Sequence, residues 1–194
     1  MKKLYQRWEK GVFYRFEMIT GVVFMLLLIP TLRAISAEND INIFYGAARR
    51  LRDLQNMYLG PYLYGMWYYY SPLFASVLVP FTFFSIMVIK LVWHFIGFFL
   101  IFRIYYLINW FISIPKNRNG IFFILLICIT SFHSVFLNLL YGQMTILVLW
   151  CCMEGIYRAH KNQYLRSAFS FGIATNIKVL PVFFFYHFLL KKNI

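Results

Sequence analysis

An all-α membrane protein with several spans is the fold class this sequence predicts, and three observations predict it. Of 194 residues, 62% are hydrophobic and 13% charged, with a mean hydropathy of +0.67, more apolar surface than one soluble core of this length can hide. Several apolar segments approach the ~20 residues that a helix needs to cross a bilayer. The period-two alternation of an outer-membrane barrel is absent, so the spans are helices.

The net charge of +13 would suggest nucleic acid in a soluble protein, but here Lys and Arg gather at the ends of apolar segments. Membrane orientation and lipid headgroups account for them, and no nucleic-acid module is visible. Cys128, Cys151 and Cys152 lie in apolar runs, are odd in number and form no Cys-x-x-Cys motif, which indicates neither a disulfide framework nor a zinc site.

Lys2, Lys3, Arg7, Lys10 and Arg15 precede the apolar run Met18 to Leu32 and place the amino terminus in the cytoplasm. Ala34-Ile35-Ser36 resembles a processing site, but the long preceding region and the later spans favour an uncleaved helix. From Ile41 the apolar residues Phe44, Tyr45, Ala48, Leu51, Leu54 and Tyr58 recur at helical spacing, with Arg49, Arg50, Arg52 and Asp53 mostly opposite. So charged a helix should lie along the outer surface, begun by Asn39 or Asp40 and stopped by Gly60-Pro61.

Pro72 to Ile89 and Leu91 to Ile114 are separated by Lys90 and read as one interfacial or re-entrant segment followed by one span. Ile121 to Leu140 is an uncharged span leading outward to Tyr141-Gly142-Gln143, and Met144 to Tyr157 returns to a basic loop with Arg158, Lys161 and Arg166. Lys178 and Pro181 interrupt the last segment, Leu165 to Leu190, and predict two half-length helices meeting near the outer face. Without a repeat or linker, residues 1–194 read as one membrane domain.

No P-loop, Gly-x-Ser-x-Gly, His-Glu-x-x-His or dinucleotide fingerprint occurs, so any chemistry must use scattered residues. His94, His133, His160 and His187 lack metal-ligand spacing and read as packing or interfacial residues. Glu38-Asn39-Asp40 holds two of the six acidic residues and stands where the first span meets water, which makes Asp40 the first candidate for chemistry. The competing reading is a helix cap, which would lower its pKa and weaken it as a base; if Asn39 is the cap, Asp40 remains free.

The tyrosines Tyr58, Tyr62, Tyr64, Tyr68, Tyr69 and Tyr70 form either an anchoring belt or a sugar-stacking surface, and Tyr64 and Tyr70 are candidate substrate contacts. Gln143 caps a helix end or touches substrate. Lys178 inside an apolar segment is costly unless it reaches water, an acid or phosphate; Arg103 raises the same question, answered by snorkelling or by pairing with Glu154.

Taken in order, Asp40-Ile41, Phe44-Tyr45-Gly46-Ala47-Ala48, Gly60-Pro61-Tyr62-Leu63-Tyr64, Tyr70-Ser71-Pro72-Leu73, Gly142-Gln143 and Ile177-Lys178-Val179-Leu180-Pro181 resemble the amino-terminal half of glycosyltransferase family 87. The resemblance implies a GT-C-like transmembrane fold. It also implies transfer of a hexose such as mannose from a polyprenyl-phosphate donor, on the outer side of a bacterial plasma membrane, with inversion.

In that reading Asp40 is the general base, Lys178 neutralises phosphate and Gln143 touches substrate. No obligatory metal or other cofactor is expected, because polyprenyl phosphate is a good leaving group once a cation faces it. The expected partners are membrane lipid and lipid-linked sugar. Members are about twice this length, so the chain reads as a front half, active only with a second membrane half, or as a truncated, non-catalytic product or subunit. A lipid or small-solute transporter is the remaining alternative, suggested by the broken last segment and opposed by the lack of repeat symmetry.

Overall fold

The computed structural model describes residues 21–22, 25–63, 65–113, 118–178 and 181, and among them all regular structure is helical. The first apolar run enters this region as α1 (Met25–Ser36), which leads to α2 (Asp40–Arg52). Asn39 starts α2. Its Oδ1 accepts from the Ile41 N–H at 3.2 Å, and its own N–H donates to Asn42 Oδ1 at 3.2 Å, a reciprocal capping box. Asp40 therefore sits one position inside the helix.

The expected end of α2 was too late by several residues. Asp53 closes the helix, Leu54 turns left-handed with φ 55° and is 95% exposed, and the chain reaches Gly60 without helix. Arg52 donates to Thr82 Oγ1 at 3.3 Å and pairs with Asp53 at 2.9 Å, tying the last turn to a neighbouring segment. The buried face also differs: Ile41, Ile43, Phe44, Ala47 and Ala48 are covered, whereas Tyr45 is half-buried and Tyr58 exposed. Beyond Arg52 the stripe loses its cover at Leu54, so periodicity alone does not sustain the helix.

Next come α3 (Pro72–Leu78), a 3-10 turn (Val79–Phe83) and α4 (Ile86–Ile112). Ser71 caps α3 and Ser85 caps α4, each side chain accepting a backbone N–H. The segment divides into a short broken helix and one long helix, as expected, but the division falls at Ser85, not Lys90. Lys90 lies buried within α4, where its Nζ donates to Ala37 O at 2.5 Å. One turn on, His94 is buried with Nδ1 against Lys90 O at 2.6 Å and Nε2 against Leu139 O at 3.0 Å.

α5 (Arg118–Tyr141), α6 (Thr145–His160) and α7 (Tyr164–Ile177) complete the described chain. Among the described residues two helices are long and apolar enough to cross a membrane: α4, and α5 over Phe122–Tyr141. At ~1.5 Å per residue α4 extends about 40 Å, beyond the ~30 Å of a hydrocarbon core. Only 22% and 11% of their most apolar stretches are buried, unlike the core helix of a soluble protein, and Phe95, Phe99 and Ile129 stand outward. α6 and α7, of 16 and 14 residues, fall short of a full span on their own.

Consecutive helices from α4 to α7 alternate in direction, so that α4 and α6 run parallel and the bundle has two distinct ends. At one, the start of α4 meets Ala37, and Gly142 meets Ile41. At the other, Trp110 packs on Tyr157 at 4.9 Å and near His160 at 5.9 Å. α6 and α7 form the most extensive pair. A Cβ on Gly155 would come within 2.7 Å of the Phe171 ring, and Ser167 donates to Gly155 O at 2.7 Å. Between the ends, Arg103 grips the buried carboxylate of Glu154 through Nε at 3.0 Å and Nη2 at 3.1 Å, and Arg158 adds a third bond at 2.7 Å. Pairing, one of the two expected answers for Arg103, is the one found.

Gly142 is needed for both its conformation and its size. Its φ is +64°, and a Cβ there would approach Ile41 Cγ1 to 2.6 Å. Gly142→Ala should lower the unfolding free energy by about 2 kcal/mol. Gly172→Ala, on α7 with nothing within 4 Å of the added Cβ, should be neutral or slightly stabilising, as helix propensity favours Ala. Denaturant titration of the two variants in one detergent checks the contrast; equal midpoints would contradict it.

Candidate active site

The end of the bundle defined by Ala37 and Gly142 collects the candidate residues. α2 brings Asp40 there because Asn39 occupies the capping role and because Ile41, the next residue, packs against Gly142. α7 brings Lys178 to the same end. Its backbone is extended at the point where the helix stops, and its Nζ donates to Thr145 Oγ1 at 3.0 Å across from the first turn of α6.

Burial holds the Asp40 carboxyl above the usual carboxylate range, and the positive charge of Lys178 opposes that rise. Burial likewise raises the Tyr70 phenol, and the negative charge of Asp40 adds to it. Asp40 is thus within electrostatic reach of both. The Tyr70 ring is fixed by Phe44, edge-on at 4.8 Å, and by Phe74 at 5.8 Å, while its carbonyl accepts from Tyr58 Oη at 3.2 Å.

Gln143 is partly buried beside this group, following Gly142, with its Oε1 3.5 Å from Asn138 Nδ2. Tyr64 lies outside the described residues, as do His187 and the second half of the broken last segment. Asp40, Tyr70, Gln143 and Lys178 therefore share one end. Thr145 was missed by sequence reasoning, because nothing local marks a residue 33 positions from its partner.

Beside Tyr70 a cleft of about 320 Å³ opens between Tyr69, Tyr70 and Ser71 on one wall and Thr175, Asn176 and Ile177 on the other. A second cavity, about 40 Å³ and lined by apolar groups including Ile41, Phe44 and Trp93, is only water-sized. Among the described residues no group of three or more His, Cys, Asp or Glu side chains converges as a metal site would require.

The sequence profile of glycosyltransferase family 87 matches residues 68–194, more than half of the chain. The chain belongs to glycosyltransferase family 87. Tyr70, Gln143 and Lys178 of this family member lie within the matched residues, as does every residue lining the larger cleft, whereas Asp40 and its cap precede them. No curated protein and no solved structure matches the chain. Glycosyl transfer is the chemistry that family membership indicates, and the two long apolar helices accord with a membrane protein.

Proposed function

We propose that this family 87 member spans a bacterial plasma membrane several times and transfers a hexose, mannose being the leading candidate, from a polyprenyl-phosphate donor to a hydroxyl acceptor outside. A second membrane half completes the site if this chain does not suffice. The observation that carries the reading is that Ile41 of α2 packs against Gly142, Phe44 of α2 against Tyr70, and Lys178 bonds to Thr145, which puts Asp40, Tyr70 and Lys178 at one end of the bundle although α2 and α7 are far apart in sequence.

An acceptor hydroxyl is a weak nucleophile. As its oxygen forms the new bond to the anomeric carbon, Asp40 takes its proton. The bond from that carbon to the phosphate oxygen breaks, and its electron pair leaves with the phosphate. Attack from the opposite side inverts the anomeric centre. Burial suits Asp40 to this task by bringing its proton affinity closer to the working pH.

Lys178 faces the departing charge. An ammonium has three donors, and the bond to Thr145 uses one, leaving two for phosphate oxygens. Gln143 adds a polar contact at the rim. Orientation follows from the basic loop carrying Arg158, Lys161 and Arg166, which lies at the opposite end of the bundle from Asp40 and belongs in the cytoplasm.

Two effects are expected of Lys178→Met. Donor KM should rise roughly 10-fold as a charge-assisted phosphate contact is lost. The acid limb of the kcat/KM profile should also move upward. The base works only when ionised, activity falls as pH drops through the Asp40 pKa, and removing the cation that lowers this pKa raises it. Initial rates across pH in proteoliposomes with polyprenyl-phosphate mannose, any second half coexpressed, check both. An unchanged limb and an unchanged KM would separate Lys178 from the reaction.

A further inference from the structure

Lys90 and His94 stand one turn apart on the same face of α4, and both are buried. Each reaches out of its own helix to a backbone carbonyl. Lys90 meets Ala37 O, just before Asp40 in the chain, and His94 meets Leu139 O, just before Gln143. The two contacts therefore hold the segments on which the candidate site is built.

The end of α5 is shaped to receive His94. Gly142 N–H donates to Leu139 O at 3.3 Å and Gln143 N–H to Asn138 O at 3.0 Å, the paired bonds by which a left-handed glycine closes a helix. The last carbonyls of a helix lack donors within it and form the negative end of its dipole. Leu139 O is one of these, and His94 Nε2 approaches it at 3.0 Å.

The other ring nitrogen, Nδ1, stands 2.6 Å from Lys90 O. A neutral imidazole has one N–H and one lone pair, so one of its nitrogens would turn a lone pair on a carbonyl oxygen. Only the imidazolium donates at both. We propose that His94 is a doubly protonated pin between α4 and α5 and, resting on the transfer reaction proposed above, a positioning residue for that reaction. Through the closing turn of α5 it holds Gln143, and through Gly142 against Ile41 it holds Asp40.

The surroundings suit a cation there. His94 faces the negative end of α5, whose adjoining polar side chain, Asn138, is uncharged. Lys90 is the like charge on its own helix. The Lys90 ammonium is turned to Ala37 O and lies within electrostatic reach of Glu38, from the segment before α2, which offsets it.

Magic-angle-spinning NMR of the full chain in proteoliposomes, with labelled histidine and with His133→Gln, His160→Gln and His187→Gln, reads His94 alone and needs no donor. At neutral pH both ring nitrogens should resonate as protonated. A bare-nitrogen resonance would overturn the pin. Transfer from polyprenyl-phosphate mannose, any second half coexpressed and rates taken per folded molecule, reads the positioning. His94→Phe keeps a ring without donors and should lower kcat roughly 10-fold, with donor KM within about 2-fold because Lys178 and not His94 meets the phosphate. His94→Gln keeps an N–H donor and should lose only about 3-fold, and it carries the comparison if His94→Phe does not fold. Unchanged kcat, or a loss confined to folded yield, would make His94 a packing residue and overturn the positioning role. A parent chain with both nitrogens protonated and no transfer would instead overturn the reaction and leave the pin in place.

Discussion

Asp40→Asn should fold and insert like the parent protein and lose transfer by roughly 100-fold or more. The structure makes this a clean substitution. Because Asn39 holds the capping bonds, position 40 contributes only its charge to the helix start, an effect of about 0.3–1 kcal/mol. Removing a half-buried charge offsets part of that cost. An amide cannot take the acceptor proton, so a defect with intact folding isolates the base role. Product formation from polyprenyl-phosphate mannose, measured beside detergent-extracted yield, checks it. Near-normal transfer would leave Asp40 as a helix-start residue and withdraw the catalytic assignment.

Glu154→Gln should have the largest effect on stability, about 3 kcal/mol. The carboxylate is buried, its side chain 7% exposed, and two guanidiniums share it. The neutral amide would leave both arginines facing each other without a counter-charge. Their own exposure of 28% each moderates the loss, which is why the low end of the range for breaking a buried pair applies. Arg158→Gln keeps the two-bond grip of Arg103 and should cost only about 1 kcal/mol. Unfolding in mixed micelles compares the variants. Equal destabilisation by the two would argue against a shared carboxylate as the organising charge.

The boundaries of α5 and the existence of α4 were legible in the sequence, because length and apolarity are properties of a contiguous segment. The start of α2 was legible too, since Asn39-Asp40 before an apolar stripe is a local capping signal. Its end was not. Leu54 and Tyr58 continue the helical spacing, but Leu54 is 95% exposed, Tyr58 turns to the Tyr70 carbonyl, and Arg52 is held to Thr82. Lys90 read as a break between two segments, yet a cation can sit within a helix when a carbonyl such as Ala37 O meets its ammonium.

The sequence by itself determined that this is a helical, membrane-suited chain, that it resembles family 87, and which few polar residues could carry chemistry. Each of those depends on composition or on short-range order. Only the tertiary structure decided that Asp40 lies within electrostatic reach of Tyr70 and Lys178, that Thr145 steadies Lys178, and that Tyr69 and Asn176 line one cleft. Those meetings depend on how closely helices pack, and Gly142 against Ile41 and Gly155 against Phe171 set that approach through missing side-chain atoms. A helical period records which face of a segment is apolar, but not which distant segment will cover it.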